Sequence, residues 1–96
     1  MSATLVKPID FKWKVGGKDV NEIEVRPSGM EDVCEAEAEA SVIHHNKFAI
    51  QMACRQIIRA GEFTGPFVPS HFAKMRPHNF QKIAAALQEA DQLGED

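Results

Sequence analysis

Residues 9–15 read Ile-Asp-Phe-Lys-Trp-Lys-Val, so Ile9, Phe11, Trp13 and Val15 alternate with Asp10, Lys12 and Lys14. A period of two puts the apolar set on one face of an extended strand. Gly16-Gly17-Lys18-Asp19 follows with turn chemistry, since glycine accepts positive φ at little cost. Residues 20–26 alternate again, with Ile23 and Val25 against Glu22 and Glu24. Two such runs around a Gly-Gly turn predict a β-hairpin within residues 5–26. Lys12 and Lys14 are expected to face Glu22 and Glu24 across its polar side, each pair worth roughly a few tenths of a kcal/mol. A hairpin alone is marginal in water and has open edges. Strands from residues 1–8 or 63–69, or another chain, are needed to complete it.

The helical part begins after Pro27. Ser28-Gly29-Met30-Glu31 has the spacing of a capping box, and the acids that follow suit a helix N-terminus. No Gly or Pro occurs from Met30 to Ala60, which would allow one long helix. The phase opposes that. Met30, Val33 and Cys34 form one stripe, while Ile43, Ile50, Ala53, Cys54 and Ile57 form another, roughly 150° away on a continuous helix. Two helices are therefore expected, over 29–40 and 43–60, with Gly61 as the second C-cap. Residues 61–70 read as a loop and 70–75 as a short helical turn. A last helix runs from 77–79 to Leu93, with Phe80, Ile83, Ala84, Leu87 and Ala90 inward and Gln81, Gln88, Glu89 and Gln92 outward. Gly94-Glu95-Asp96 is expected to fray. The fold class is α+β: an N-terminal hairpin followed by three helices on one core.

Ninety-six residues suit one domain (hairpin region 5–26, helical region 28–93) with one modest core. No run approaches the roughly 18 apolar residues of a membrane span, so no membrane association is expected. Met1-Ser2-Ala3-Thr4 has no basic n-region or long apolar stretch, so no export signal is expected. Two cysteines make no disulfide framework and suit a reducing compartment. The net charge of −3 disfavours a generic nucleic-acid binder. That charge is banded. Residues 1–27 sum to +1, 28–46 to −5, 47–82 to +5 and 83–96 to −4. Such bands either neutralise one another within the fold or orient a partner.

Candidate chemistry is sparse. His44, His45, His71 and His78 have no metal-ligand spacing with each other or with the cysteines, so no metal or cofactor is expected. Cys34 and Cys54 fall on stripes expected to face the core, where thiols are inert. No glycine loop cradles a phosphate. No catalytic residue is assigned, and no enzyme activity is expected. The second helix is more informative. Its polar side, with His44, His45, Gln51, Gln56, Arg55 and Arg59, also carries Phe48 and Met52 one turn apart. An aromatic, a methionine and two arginines have the composition of an interaction patch. The alternative is that a small domain wraps this helix on both sides. Phe63 to Phe67 supply a second apolar feature, either a lid over the core or a site.

The order of parts resembles a known family. Leu5-Val6-Lys7-Pro8-Ile9 leads into the hairpin Trp13-Lys14-Val15-Gly16-Gly17-Lys18-Asp19-Val20-Asn21-Glu22-Ile23. Val25-Arg26-Pro27 then joins an acidic helix with Met30-Glu31-Asp32-Val33 and Ala36-Glu37. A second helix, a loop and Phe72-Ala73-Lys74-Met75, Phe80, Ile83 and Ala86-Leu87 close the chain. Over residues 5–90 this is similar to the small tail assembly chaperones of Mu-like and P2-like tailed bacteriophages and prophages. One departure is Pro77-His78-Asn79, where such proteins often open the last helix with an acid; Asn79 is able to cap instead.

The resemblance implies a protein that binds the phage tape measure protein, keeps that long helical rod soluble and helps tail tube subunits assemble around it. The tail tube protein is then a second partner, the place of action is the bacterial host cytoplasm, and the mature virion lacks the protein. Phe48, Met52, Arg55 and Arg59 are the expected binding surface, with Glu31, Glu35 and Glu39 as a solvating or docking face. Self-association is also expected. The competing classes are a small intracellular adaptor or regulatory subunit and a structural tail subunit of the virion.

Overall fold

The computed structural model describes residues 4–41 and 43–93; the expected fraying of 94–96 lies outside them. In order, the elements are β1 (Leu5–Pro8), β2 (Lys14–Val15), β3 (Lys18–Asp19), β4 (Glu22–Val25), α1 (Met30–Glu39), α2 (His45–Gln56), β5 (Ile57–Ala60) and α3 (Pro77–Leu93). A 3-10 turn over Pro69–Phe72 precedes α3. The class is α+β, as expected, with a hairpin and three helices around one core.

The hairpin is long and interrupted. Its tip pairs Lys14 with Asp19 and Val15 with Lys18. Gly16 and Gly17 both have positive φ (62° and 80°), which suits the tight two-residue turn. Its base pairs β1 with β4 from Leu5↔Val25 to Pro8↔Glu22. Ile9 still donates to the Asn21 carbonyl and Val20 to the Trp13 carbonyl, both at 2.9 Å. Between these bonds, residues 10–12 loop out of the ladder with no counterpart between Val20 and Asn21. The alternation survives in burial: Trp13 and Val15 are buried and Asp10, Lys12 and Lys14 are exposed. The expected pairing of Lys12 and Lys14 with Glu22 and Glu24 does not form, because the two-residue turn sets Lys14 opposite Asp19 while Glu22 and Glu24 stand opposite Pro8 and Val6 of β1. Asp10 instead accepts from Lys82 of α3 at 2.6 Å, and that ammonium lies 5.7 Å from the Phe11 ring centre.

The open edge of β4 takes a strand from an unexpected place. Helix 43–60 was the sequence expectation, but α2 ends at Gln56. Ile57 N–H completes the helical ladder onto Ala53, and its backbone then extends (φ −78°, ψ 118°) straight into β5. β5 pairs antiparallel with β4 through Ile23↔Ala60, Glu24↔Arg59 and Val25↔Ile57, with Ile58 as the bulged residue. Two adjacent β-branched residues fit a strand better than a helix end. The β4 edge also needs partners for its backbone groups. Gly61 (φ +60°) is consequently a turn residue after β5 and not a helix cap. The sheet order is β1-β4-β5, so residues 5–8 complete the hairpin base as one of the expected strands. The 63–69 segment adds only an isolated bridge, Ala60↔Phe63.

One sheet face is covered. Ile23, Val25, Ile57 and Ala60 join Ala53 of α2, Phe67, Phe72 and Ile83, Ala86, Leu87 and Ala90 of α3 in a single core. Trp13 closes it near the 3-10 turn, donating to the His71 carbonyl at 3.0 Å with its ring 5.4 Å from Phe72. The α3 stripe matches the expected periodicity: Ile83, Leu87 and Ala90 are buried, and Gln81, Gln88, Glu89 and Gln92 are exposed. Lys7 of β1 reaches Glu89 of α3 at 3.2 Å.

A polar junction ties the ends of these elements together. Gln56 is only 2% exposed. Its amide nitrogen donates to the Arg26 carbonyl (3.0 Å) and to Asp91 of α3 (3.1 Å). Its own carbonyl accepts from Arg26 N–H at 2.9 Å. Asp91 also accepts from Ser28 N–H at 2.7 Å. The Arg26 guanidinium makes a two-pronged pair with Asp32 (2.7 and 2.9 Å), and Asp32 accepts from Gly29 N–H at 2.9 Å. The capping role expected of Ser28 and Glu31 thus falls one residue later, on Gly29 and Asp32. Asp32 and Ala36, not Met30 and Cys34, are the buried residues of α1. The Arg26 pair draws the Asp32 side of the helix inward, leaving Met30 73% exposed.

Gln56→Leu keeps side-chain volume but strands the Arg26 carbonyl and one Asp91 bond. It is expected to lower stability by about 1–3 kcal/mol in urea denaturation. Arg26 and the Gly29 N–H hold the Asp32 carboxyl below its usual range. A depressed carboxylate stabilises the fold above its unfolded pKa of about 4, and that contribution is lost as pH falls through the folded value. Asp32→Asn should therefore cost about 1–3 kcal/mol at pH 7 and flatten the fall in melting temperature measured from pH 5 downward.

Candidate functional site

The strongest candidate surface lies along α2 and its neighbour α1. α2 is held between α1 on one side and the 3-10 turn, α3 and β5 on the other. The domain thus wraps this helix on more than one side. Ala53 and Gln56 are its buried residues, and Ile50 and Cys54 pack half-buried against the core. Phe48 and Met52, one turn apart, are half-buried and stand outside the core cluster. Arg55 is engaged: it donates to the Gln51 carbonyl and side chain (3.0 and 2.8 Å) and lies 3.5 Å from the Glu35 carboxylate. It fastens α2 to α1 at that point.

Arg59 does not join this strip. Because α2 ends at Gln56, Arg59 sits on β5 opposite Glu24, on the sheet face away from the core. It approaches Glu24 at 3.4 Å and donates to the Gly61 carbonyl at 2.8 Å. Hydrogen bonds from the Thr4 hydroxyl and then Arg59 hold the Glu24 carboxyl below its usual range. The expected patch therefore divides: Phe48, Met52 and Arg55 share α2, and Arg59 belongs to the sheet.

Glu31, Glu35 and Glu39 are all exposed along α1, with Glu35 alone turned to an arginine. Ile43, expected on the inner stripe, is 74% exposed because it precedes the first turn of α2. Gln56, expected in water, is the buried junction described above. The Phe63–Phe67 loop is a lid: Phe67 is buried, and its ring meets Phe63 edge-on at 5.2 Å. His71 packs edge-on against Phe63 at 5.3 Å, and its Nδ1 accepts from Val68 N–H at 3.1 Å. His44, His45 and His78 are exposed. Among the described residues no group of three His, Cys, Asp or Glu converges on a metal position, and no helix is long and apolar enough to cross a membrane.

One feature escaped the periodicity reading. A groove of about 230 Å³ runs between α2, the 3-10 turn and the start of α3, lined by Ile50, Phe72, Met75 and Phe80 with Asn46 and Gln81 at its edge. Its sequence signal was Phe72-Ala73-Lys74-Met75-Arg76, where apolar and basic residues interleave.

No family model, curated protein or solved structure matches this chain.

The two thiols differ sharply. Cys34 is exposed, contrary to expectation, because α1 buries its Asp32–Ala36 side. Burial pushes the Cys54 thiol up to about 11. At pH 8 about one Cys54 in a thousand is then thiolate. Ellman's reagent should label Cys34 at least about tenfold faster than Cys54 at pH 8, with Cys34→Ser removing the fast phase. The Cys54 rate should climb steadily as pH approaches 11.

Proposed function

We propose that this chain is a tail assembly chaperone of the Mu-like and P2-like phage type. It binds the tape measure protein, keeps it soluble and assists assembly of the tail tube. It works in the host cytoplasm and is left out of the finished virion. The reading rests on the order of parts from the hairpin through Val25-Arg26-Pro27 to the acidic helix. The supporting observation is on α2, where Phe48 and Met52 stand one turn apart outside the core.

A holdase needs apolar contacts that are reversible and tolerant of shape. A phenylalanine and a methionine on one helix offer them, because the thioether repacks easily. Glu31, Glu35 and Glu39 on the adjoining helix keep the loaded complex soluble through like-charge repulsion. Arg55 acts by fastening α2 to α1 more than by meeting a partner, since its donors are already used within the chain. No catalytic step is involved.

Co-expression with a tape measure protein of a Mu-like or P2-like phage, from a neighbouring gene where one is present, tests this. The wild type should copurify with that protein and keep it in the soluble fraction. Phe48→Ser with Met52→Ser should lower the soluble yield by about fivefold or more while native circular dichroism is retained. Arg59→Ala, on the outer face of the sheet, should leave the yield unchanged. A folded double variant that solubilises as well as the wild type would overturn the assignment to α2. Failure of the wild-type pair to copurify would overturn the chaperone reading.

A further inference from the structure

We propose that the groove between α2, the 3-10 turn and α3 receives helix α1 of a second copy of this chain. The groove floor is apolar and partly solvent-exposed: Ile50, Met75 and Phe80 are each half-buried around the buried Phe72. Residues 45–56 and 69–82, which build it, carry bases and no acid at all. Lys47, Lys74 and Arg76 are exposed, and none of them forms an ion pair among the described residues. Among the described residues no acid lines the groove. Asp10 is taken by Lys82, and Glu39 borders a neighbouring depression with Lys47.

The complementary surface is on the same chain. α1 has five acids between Glu31 and Glu39 and no base. Among the described residues, Asp32 and Glu35 are the ones with an ion-pair partner, Arg26 and Arg55. Met30, Cys34 and Ala38 recur at i, i+4 and i+8 and are all exposed, so they form an outward apolar stripe. Glu31 and Glu37 flank it, exposed and without an ion pair among the described residues. Met30 is the projecting member, and a thioether suits a pocket floored by phenylalanines. An acidic helix with an apolar ridge thus complements an apolar groove whose segments carry bases and no acid. The −5 and +5 blocks of the sequence are only partly neutralised inside one molecule, and the remainder lies on these two surfaces.

The two surfaces differ, so each contact is heterologous. Exposed ion pairs around the groove make the association weaken with salt.

Sedimentation equilibrium of the whole chain tests this with two double variants. Lys74→Glu with Arg76→Glu reverses charge on the groove segments; Cys34→Lys with Glu37→Lys reverses the helix ridge. All four positions are exposed, and the single substitutions Lys74→Glu and Glu37→Lys serve if a double variant loses its native circular dichroism. The wild type should self-associate with concentration, at least about threefold more weakly in 0.5 M than in 0.05 M salt. Each variant alone should be monomeric. An equimolar mixture should associate again, through the intact helix of one variant and the intact groove of the other. A monomeric wild type at millimolar concentration overturns the proposal. So does continued association of either variant alone, or a mixture that stays monomeric. Binding of a synthetic acidic amphipathic helix to the groove of a monomeric wild type would assign the groove to a different protein.

Discussion

The fold hangs on one buried amide. Gln56 stands where α2 becomes β5, and its side chain answers both the end of β4 and the end of α3. A glutamine at this depth is tolerated only because its donors are satisfied; unmet, they would cost more than the packing around them returns. Around it, Asp91 restrains Ser28 and Arg26 restrains Asp32, so the start of α1 is fixed by the same cluster. Sheet, α1, α2 and α3 therefore meet at a polar point, while the apolar core lies to one side of it. The hydrophobic core supplies most of the driving force, and the junction selects which arrangement of elements that force produces.

Local periodicity made much of this legible. α3 was readable because its stripe, Phe80 to Ala90, faces one continuous core. The tip of the hairpin was readable because Gly16-Gly17 can turn where other residues cannot. The break after Glu39 was expected from two apolar stripes out of phase, yet Met30 and Cys34 of the first stripe face outward, so the position held while its premise did not. The errors share a cause. Ile57 continues the apolar stripe of α2 as well as it serves a strand, so periodicity could not separate the two. What decides is the open edge of β4, some thirty residues away in sequence. Likewise, Cys34 and Gln56 were assigned by phase to the wrong environments because specific polar partners, Asp32 with Arg26 and Gln56 with Asp91, outweighed the apolar average. One of the four residues of the expected binding patch was misplaced for the same reason: Arg59 followed β5 to the sheet.

The distribution of charge links the two proposed activities. Within the chain, arginines take up acids at structural joints: Arg26 at the start of α1, Arg55 between helices, Arg59 across the sheet. Several lysines, with Arg76, are left toward solvent. Guanidinium groups suit fixed two-pronged pairing, whereas an ammonium on a flexible stem keeps its hydration and exchanges partners easily. A protein that holds a client and must later release it is served by such a division. Self-association through α1 would compete with solvation of a client by the same acidic helix, so storage and loading become alternative states of one surface.

The direct passage from α2 into β5 has a mechanical consequence. No spacer separates the last helical bond, Ile57 to Ala53, from the first ladder pair, Ile57 with Val25. A rotation of the helix about its axis would have to be absorbed by the strand. In a strand, a one-residue slip exchanges the two faces and would expel Ile57 and Ala60 from the core. The helix therefore behaves as a shaft keyed to the sheet. The bearing of Phe48 and Met52 is set by strand register, and any adaptability of that surface must reside in side-chain rotamers and not in movement of the helix.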